Sequence, residues 1–248
     1  MKILVYTLLL IFVINSCSNT GEEVKKEEWA DKPLSEWTEL VFTNNIEFKD
    51  TTYTGIANSF LVDTGHDTLG VTCKHIFLVF KHEELLTIDL GENFVRWKAY
   101  PKGNEAKYMI FEEMINKNSD EMVDAFNTLK SRDWLLFEVA DIPAGFTPLK
   151  IRTKPLQKDE IIYCLSWPYK QKKGSPSLVK MQMFRNAGPY YYVNTLTEDV
   201  DPAGRSGSPV IDANGYLVGI VSGAEGKLGV ICNVNYIVDF LKQGRDAL

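Results

Sequence analysis

From Tyr53 onward the apolar residues fall in short runs, broken every few positions by glycine, proline, asparagine or aspartate. That texture belongs to an all-β barrel or sandwich. Residues 54–63 read as one strand, Thr64-Gly65-His66-Asp67 as a turn, and 68–75 as the returning strand. Strands are expected again at 85–90 and 94–100. Between 112 and 131 the period changes: Met122, Phe126 and Leu129 recur at helical spacing, and Asn118-Ser119-Asp120 supplies capping residue types. This predicts a helix. Glycine and proline punctuate a crossover over 141–149, and a second series of strands follows at 159–168, 178–185 and 190–196. An Asn-Gly hairpin over 212–216 joins a short strand from Pro209 to another over 217–223. A last strand over 228–232 leads into an amphipathic helix over 234–241.

The N-terminus follows a different pattern. Lys2 precedes an apolar run of 12 residues, 3–14. That is too short for a spanning helix, which needs ~20 residues, so residues 1–16 are expected to be an export signal. Val13-Ile14-Asn15-Ser16-Cys17 resembles the lipobox of bacterial lipoproteins. The resemblance implies a lipid on Cys17 and a location in the cell envelope, periplasmic or at the cell surface. An ordinary signal peptide with a free cysteine is the alternative. The polar, acidic stretch from Ser18 to about Leu34 reads as a membrane tether or a short solvated helix.

Composition narrows the partners. With 248 residues the chain can bury a two-lobed core. A net charge of −6 argues against nucleic acid, which requires a basic stripe. Cys73, Cys164 and Cys232 each lie in an apolar run and read as buried thiols, with no metal-ligand spacing among them; neither a metal nor a cofactor is expected.

The candidate chemistry centres on Asp201-Pro202-Ala203-Gly204-Arg205-Ser206-Gly207-Ser208-Pro209-Val210. A glycine-flanked loop that presents one serine before a strand suits a nucleophile, with the amides of Gly204 and Ser206 converging as an oxyanion hole. A plain Gly/Ser surface loop is the bland alternative. All three histidines, His66, His75 and His82, precede Ser206, which excludes the Ser…Asp…His order of α/β-hydrolases. His66 lies on a turn and His82 in a charged run, so His75, at the end of an apolar strand, is the candidate base.

Gly-Arg-Ser-Gly-Ser-Pro-Val, the hairpin after it, and the strand ending Thr72-Cys73-Lys74-His75 together resemble trypsin-like serine proteases, closest to the bacterial high-temperature-requirement branch. Asp133-Trp134-Leu135-Leu136-Phe137 resembles that family's aspartate-led strand, although Leu135 stands in place of a small residue. The resemblance implies two packed antiparallel Greek-key β-barrels, with the helix over 112–131 as an insertion. It implies a tether and lead-in over 17–48, a first barrel over 49–145, and a second barrel with its C-terminal helix over 146–243. It also implies an exported serine endopeptidase acting through His75, Asp133 and Ser206 on a polypeptide substrate, with no cofactor. Val200 and Ser222-Gly223-Ala224 would line the substrate pocket. Glu198, Asp199 and Asp201 would favour a basic side chain there, unless they form a solvated loop. Two departures stand out: Ser166 replaces a glycine, and Arg205 replaces the aspartate that pairs with a new N-terminus in secreted zymogens. Arg205 leaves open a catalytically silent, protease-like binding module; a serine esterase is the other alternative.

Overall fold

A computed structural model describes residues 25–80, 86–123 and 125–246. The predicted alternation becomes two closed, six-stranded antiparallel barrels. In chain order the first half contains β1 (Phe42–Phe48), β2 (Thr52–Asp63), β3 (Thr68–Thr72), β4 (Thr87–Ile88), β5 (Phe94–Tyr100), β6 (Met109–Met114), β7 (Asn118–Met122), β8 (Leu135–Ala140) and β9 (Leu149–Lys150). The first barrel runs β1-β5-β6-β8-β3-β2 and closes through the β1–β2 pair; β9 adds in parallel to β2, and β4 pairs with β7 alone. The second half contains β10 (Ile161–Ser166), β11 (Ser177–Asn186), β12 (Tyr190–Thr195), β13 (Pro209–Ile211), β14 (Leu217–Glu225) and β15 (Leu228–Asn233). Its barrel runs β10-β11-β12-β15-β14-β13 and closes between β10 and β13.

Aromatic rings fill the first barrel. Phe111 and Phe137 stack at 5.1 Å between centroids, and Trp97 meets Phe137 at 5.0 Å. Gly70 on β3 leaves room for them, because a Cβ there would come within 2.5 Å of the Phe111 ring. The second core is aliphatic, built from Ile162, Val179, Met181, Val193, Val210 and Ile231.

Two expectations need correction. Residues 112–131 do not form one helix: among the described residues of this range only α1 (Phe126–Leu129) is helical, while β6 and β7 take up preceding residues. Met109, Phe111 and Met114 are the buried residues of β6, and pairing with β8 and β4 overrides the weak helical period. A buried charge fixes this arrangement. Lys74 is 1% exposed, and its ammonium contacts both Glu121 carboxylate oxygens at 2.9 and 2.7 Å; Arg132 Nε donates to the same carboxylate at 2.7 Å. Glu121→Ala strands the buried Lys74 charge and is expected to cost roughly 3 kcal/mol, measured as a fall in the urea midpoint.

The lead-in is also more than a tether. From residue 25 it belongs to the fold, and the first barrel begins at β1, ahead of the expected boundary at 49. Trp29 and Trp37, on 3-10 turns at Glu28–Asp31 and Leu34–Glu39, pack edge-to-face at 5.1 Å. Glu27 N donates to the Asn214 carbonyl at 2.9 Å, clasping the hairpin of the second barrel. At the other end, α2 (Asn235–Asp246) starts on an Asn233 side chain that accepts from Asn235 N at 2.9 Å, and it buries Ile237.

Candidate active site

β3 ends at Thr72, and the chain turns at once into a 3-10 segment, Lys74–Leu78, that carries His75. The same turn sends Lys74 toward Glu121 and His75 toward Asp133. Asp133, fully buried just before β8, accepts from His75 Nδ1 at 2.6 Å and from the His75 backbone N–H at 2.8 Å. Ser222 Oγ donates a short hydrogen bond to the same Oδ2. The imidazole is therefore held with Nδ1 toward the carboxylate. Nε2 lies 3.7 Å from Cys73 Sγ, and no hydrogen bond joins it to Ser206 among the described residues.

Burial opposes a charge on His75, but Cys73 and then Asp133 outweigh it, and the imidazole is held well above its usual value of 6.5. A base must be neutral to accept a proton. Activity that depends on His75 should therefore rise with pH through an inflection above that value, and Cys73→Ala should move the inflection down. A kcat/KM profile between about pH 5 and 10 reads both effects. By linkage, the same shift adds stability below about pH 6.5 that disappears as pH rises through the folded-state value.

The Ser206 loop is fastened at several points. Gly204 and Gly207 have φ of +81° and +76°, where a side chain is strained. A Cβ on Gly207 would also run into the Asn58 carbonyl. Asn58 lies fully buried in β2 beside a bulge, where Ala57 adopts φ +50° and the β1 register slips. Its backbone N–H donates to the Ser206 carbonyl at 2.7 Å, and its Nδ2 donates to the Gly204 carbonyl at 2.6 Å. Asn58 Oδ1 accepts from Trp167 N at 2.8 Å, and Thr72 Oγ1 donates to its carbonyl at 2.7 Å. One first-barrel side chain thus joins both barrels to the loop, a role that the sequence pattern did not reveal.

The two departures from the family pattern meet here. Arg205 turns inward, donating from Nε to the Asp201 carbonyl at 2.8 Å and from Nη1 to Ser166 Oγ. Where a glycine would offer no side chain, Ser166 anchors the arginine. The loop is thereby tied down by residues of its own and of β10.

A cavity of ≈ 470 Å³ opens beside Ser206. Val200, Gly223 and Ala224 line it; Val221 joins them, while Ser222 does not. The Ser222 side chain is fully buried and committed to Asp133, so its assignment as a pocket residue is corrected. Alternation along β14 sends Val221 and Ser222 to opposite faces. Phe126 lies over Gly223, where a Cβ would come within 2.6 Å of the ring, and it meets the His75 imidazole edge-on at 5.9 Å. His75 and the Ser206 cavity thus flank the same stretch of β14.

Elsewhere, His66 and Asp120 are exposed, and His82 and Asp124 lie outside the described residues, as does Cys17. Cys73, Cys164 and Cys232 are free and buried.

The trypsin-like peptidase domain family matches residues 57–220. The chain belongs to that family. No curated protein sequence matches it. Among solved structures, the active form of the Rv3671c protease from M. tuberculosis is similar with a TM-score of 0.52 and 16% identity, over 87% of this chain and 86% of that one. Its inactive form gives 0.53 and 16%, over 88% and 96%. Kallikrein-related peptidase 10, in complex with Zn2+, gives 0.54 and 12%, over 86% and 97%. Identities this low establish a shared fold. The family match makes the chain a protease-type hydrolase.

Proposed function

We propose that this trypsin-like peptidase is a serine endopeptidase using Ser206, His75 and Asp133. The observation that carries the reading is the doubly hydrogen-bonded His75–Asp133 pair beside the Ser206 cavity. In the proposed cycle Ser206 Oγ attacks the scissile carbonyl carbon as His75 Nε2 takes its proton. The amides of Gly204 and Ser206 stabilise the oxyanion. The C–N bond then breaks, His75 returns the proton to the leaving amine, and water releases the acyl group by the same steps. Asp133 fixes the imidazole tautomer and stabilises the imidazolium.

Incubation with denatured casein should yield internal fragments that disappear with Ser206→Ala. Cleavage of small esters alone, with casein intact, would support the esterase instead. The contact of Nε2 with Cys73 favours a second reading, a silent binding module in which the imidazole never engages Ser206. Intact casein and intact esters together would point there.

Export and a lipid on Cys17 complete the proposal, supported by the signal-like run and lipobox-like residues, as is membership of the bacterial high-temperature-requirement branch by the Gly204–Ser206 motif. Cys17→Ala should release the protein from the membrane fraction. Retention there would count against lipid anchoring.

A further inference from the structure

The acidic loop beside the cavity does not supply its charge. Glu198 and Asp199 are exposed, and the Asp201 carboxylate faces Lys170 at 3.2 Å and accepts from Ala203 N at 2.9 Å. No aspartate or glutamate is among the residues lining the cavity. Its charged members are Arg205, half-buried along the wall, and Lys227, exposed at the rim. Arg205 donates to neutral oxygens, the Asp201 carbonyl and Ser166 Oγ, and neither bond uses Nη2; the Asp201 carboxylate feels its charge but makes its own bonds to Lys170 and Ala203 N. Thr195 and Thr197 add hydroxyls; Thr197 Oγ1 already accepts from Lys180 N at 2.8 Å, so its own proton remains to be donated. The remaining walls are apolar: Val179, Met181, Val200, Val221 and Ile231.

We propose that this cavity selects an acidic side chain, glutamate or aspartate, on the acyl side of the scissile bond. The inference rests on the peptidase reading above and gives it a substrate class. A half-buried guanidinium hydrogen-bonded to neutral oxygens gains most from a carboxylate, through charge-assisted hydrogen bonds in a partly desolvated cavity. A neutral isostere keeps the shape and loses the charge. A lysine or arginine side chain would meet two like charges and no acceptor carboxylate. The basic preference suggested by Glu198, Asp199 and Asp201 is thereby reversed, because Glu198 and Asp199 are exposed, Asp201 is engaged by Lys170 and Ala203 N, and none of the three lines the cavity.

The test uses peptides identical except at that residue: Glu, Asp, Gln, Leu, Lys or Arg. Glu should exceed Gln by about tenfold or more in kcat/KM, with Lys and Arg about a hundredfold below Glu. Lys227→Glu at the rim should lower the Glu/Gln ratio a few-fold. Arg205→Gln should bring it close to one, with the Leu peptide reporting any general damage to the loop. Gln or Leu equal to Glu, or Lys or Arg preferred, would overturn the assignment. A second readout needs no turnover: binding of short peptides ending in Glu, Gln, Leu or Lys to Ser206→Ala. Preferential binding of the Glu-ended peptide to a protein whose wild type cleaves nothing would uphold the pocket and sink the peptidase reading. Cleavage or binding without acidic preference would sink the pocket assignment alone.

Discussion

Replacing Ser206 or His75 by alanine should lower peptide hydrolysis by about 10⁴-fold or more, while leaving the fold in place. Neither side chain carries the core: Ser206 and His75 are only partly buried, and among the described residues Ser206 makes no side-chain hydrogen bond. The two losses should not add, since nucleophile and base act in one step. Asp133→Asn belongs to the same unit but carries a structural cost as well, because its carboxylate collects His75 N, His75 Nδ1 and Ser222 Oγ. Measuring turnover with circular dichroism separates these cases. A Ser206→Ala protein that still hydrolysed peptides at the wild-type rate would remove this residue from the chemistry.

Asn58→Ala should be the most damaging substitution of a residue outside the proposed triad. It leaves the Trp167 N–H and the Gly204 carbonyl without partners in a buried setting, a destabilisation of about 2–4 kcal/mol. It also frees Gly204, whose amide is the proposed oxyanion donor, and loss of one such donor costs about 10²–10³ in kcat. The signature is a fall in kcat with KM little changed. Asn58→Asp distinguishes loop geometry from bulk: its size is retained, but it cannot donate to the Gly204 carbonyl, so kcat should again fall. Wild-type kcat in both variants would show that the loop orders without this clasp.

Much of the architecture was legible in the sequence because short apolar runs with turn residues between them have few alternatives to strands. The hairpin over 212–216 and strand β5 are instances. The region 112–131 misled for a physical reason. Its helical spacing was carried by three residues, of which Met122 is 53% exposed and only Leu129 is fully buried. A buried lysine that requires Glu121 is invisible to periodicity. His75 and Asp133 could be proposed from family resemblance, but their mutual geometry could not. Asn58 gave no signal, because an asparagine inside a strand looks like a polar interruption until its partners across both barrels are known. Arg205 read as a possible defect when taken alone. Its partner Ser166 lies 39 positions away and read as a minor departure of its own.

The measurement that bears most directly on the central claim is covalent labelling of the protein with a fluorophosphonate, located by peptide mass spectrometry. An activated serine attacks phosphorus and displaces fluoride, whereas an ordinary surface serine does not react. The account predicts one adduct, on Ser206, absent from Ser206→Ala and strongly reduced in His75→Ala. A folded wild-type protein that stays unlabelled from neutral to alkaline pH, or that is labelled elsewhere, would contradict it.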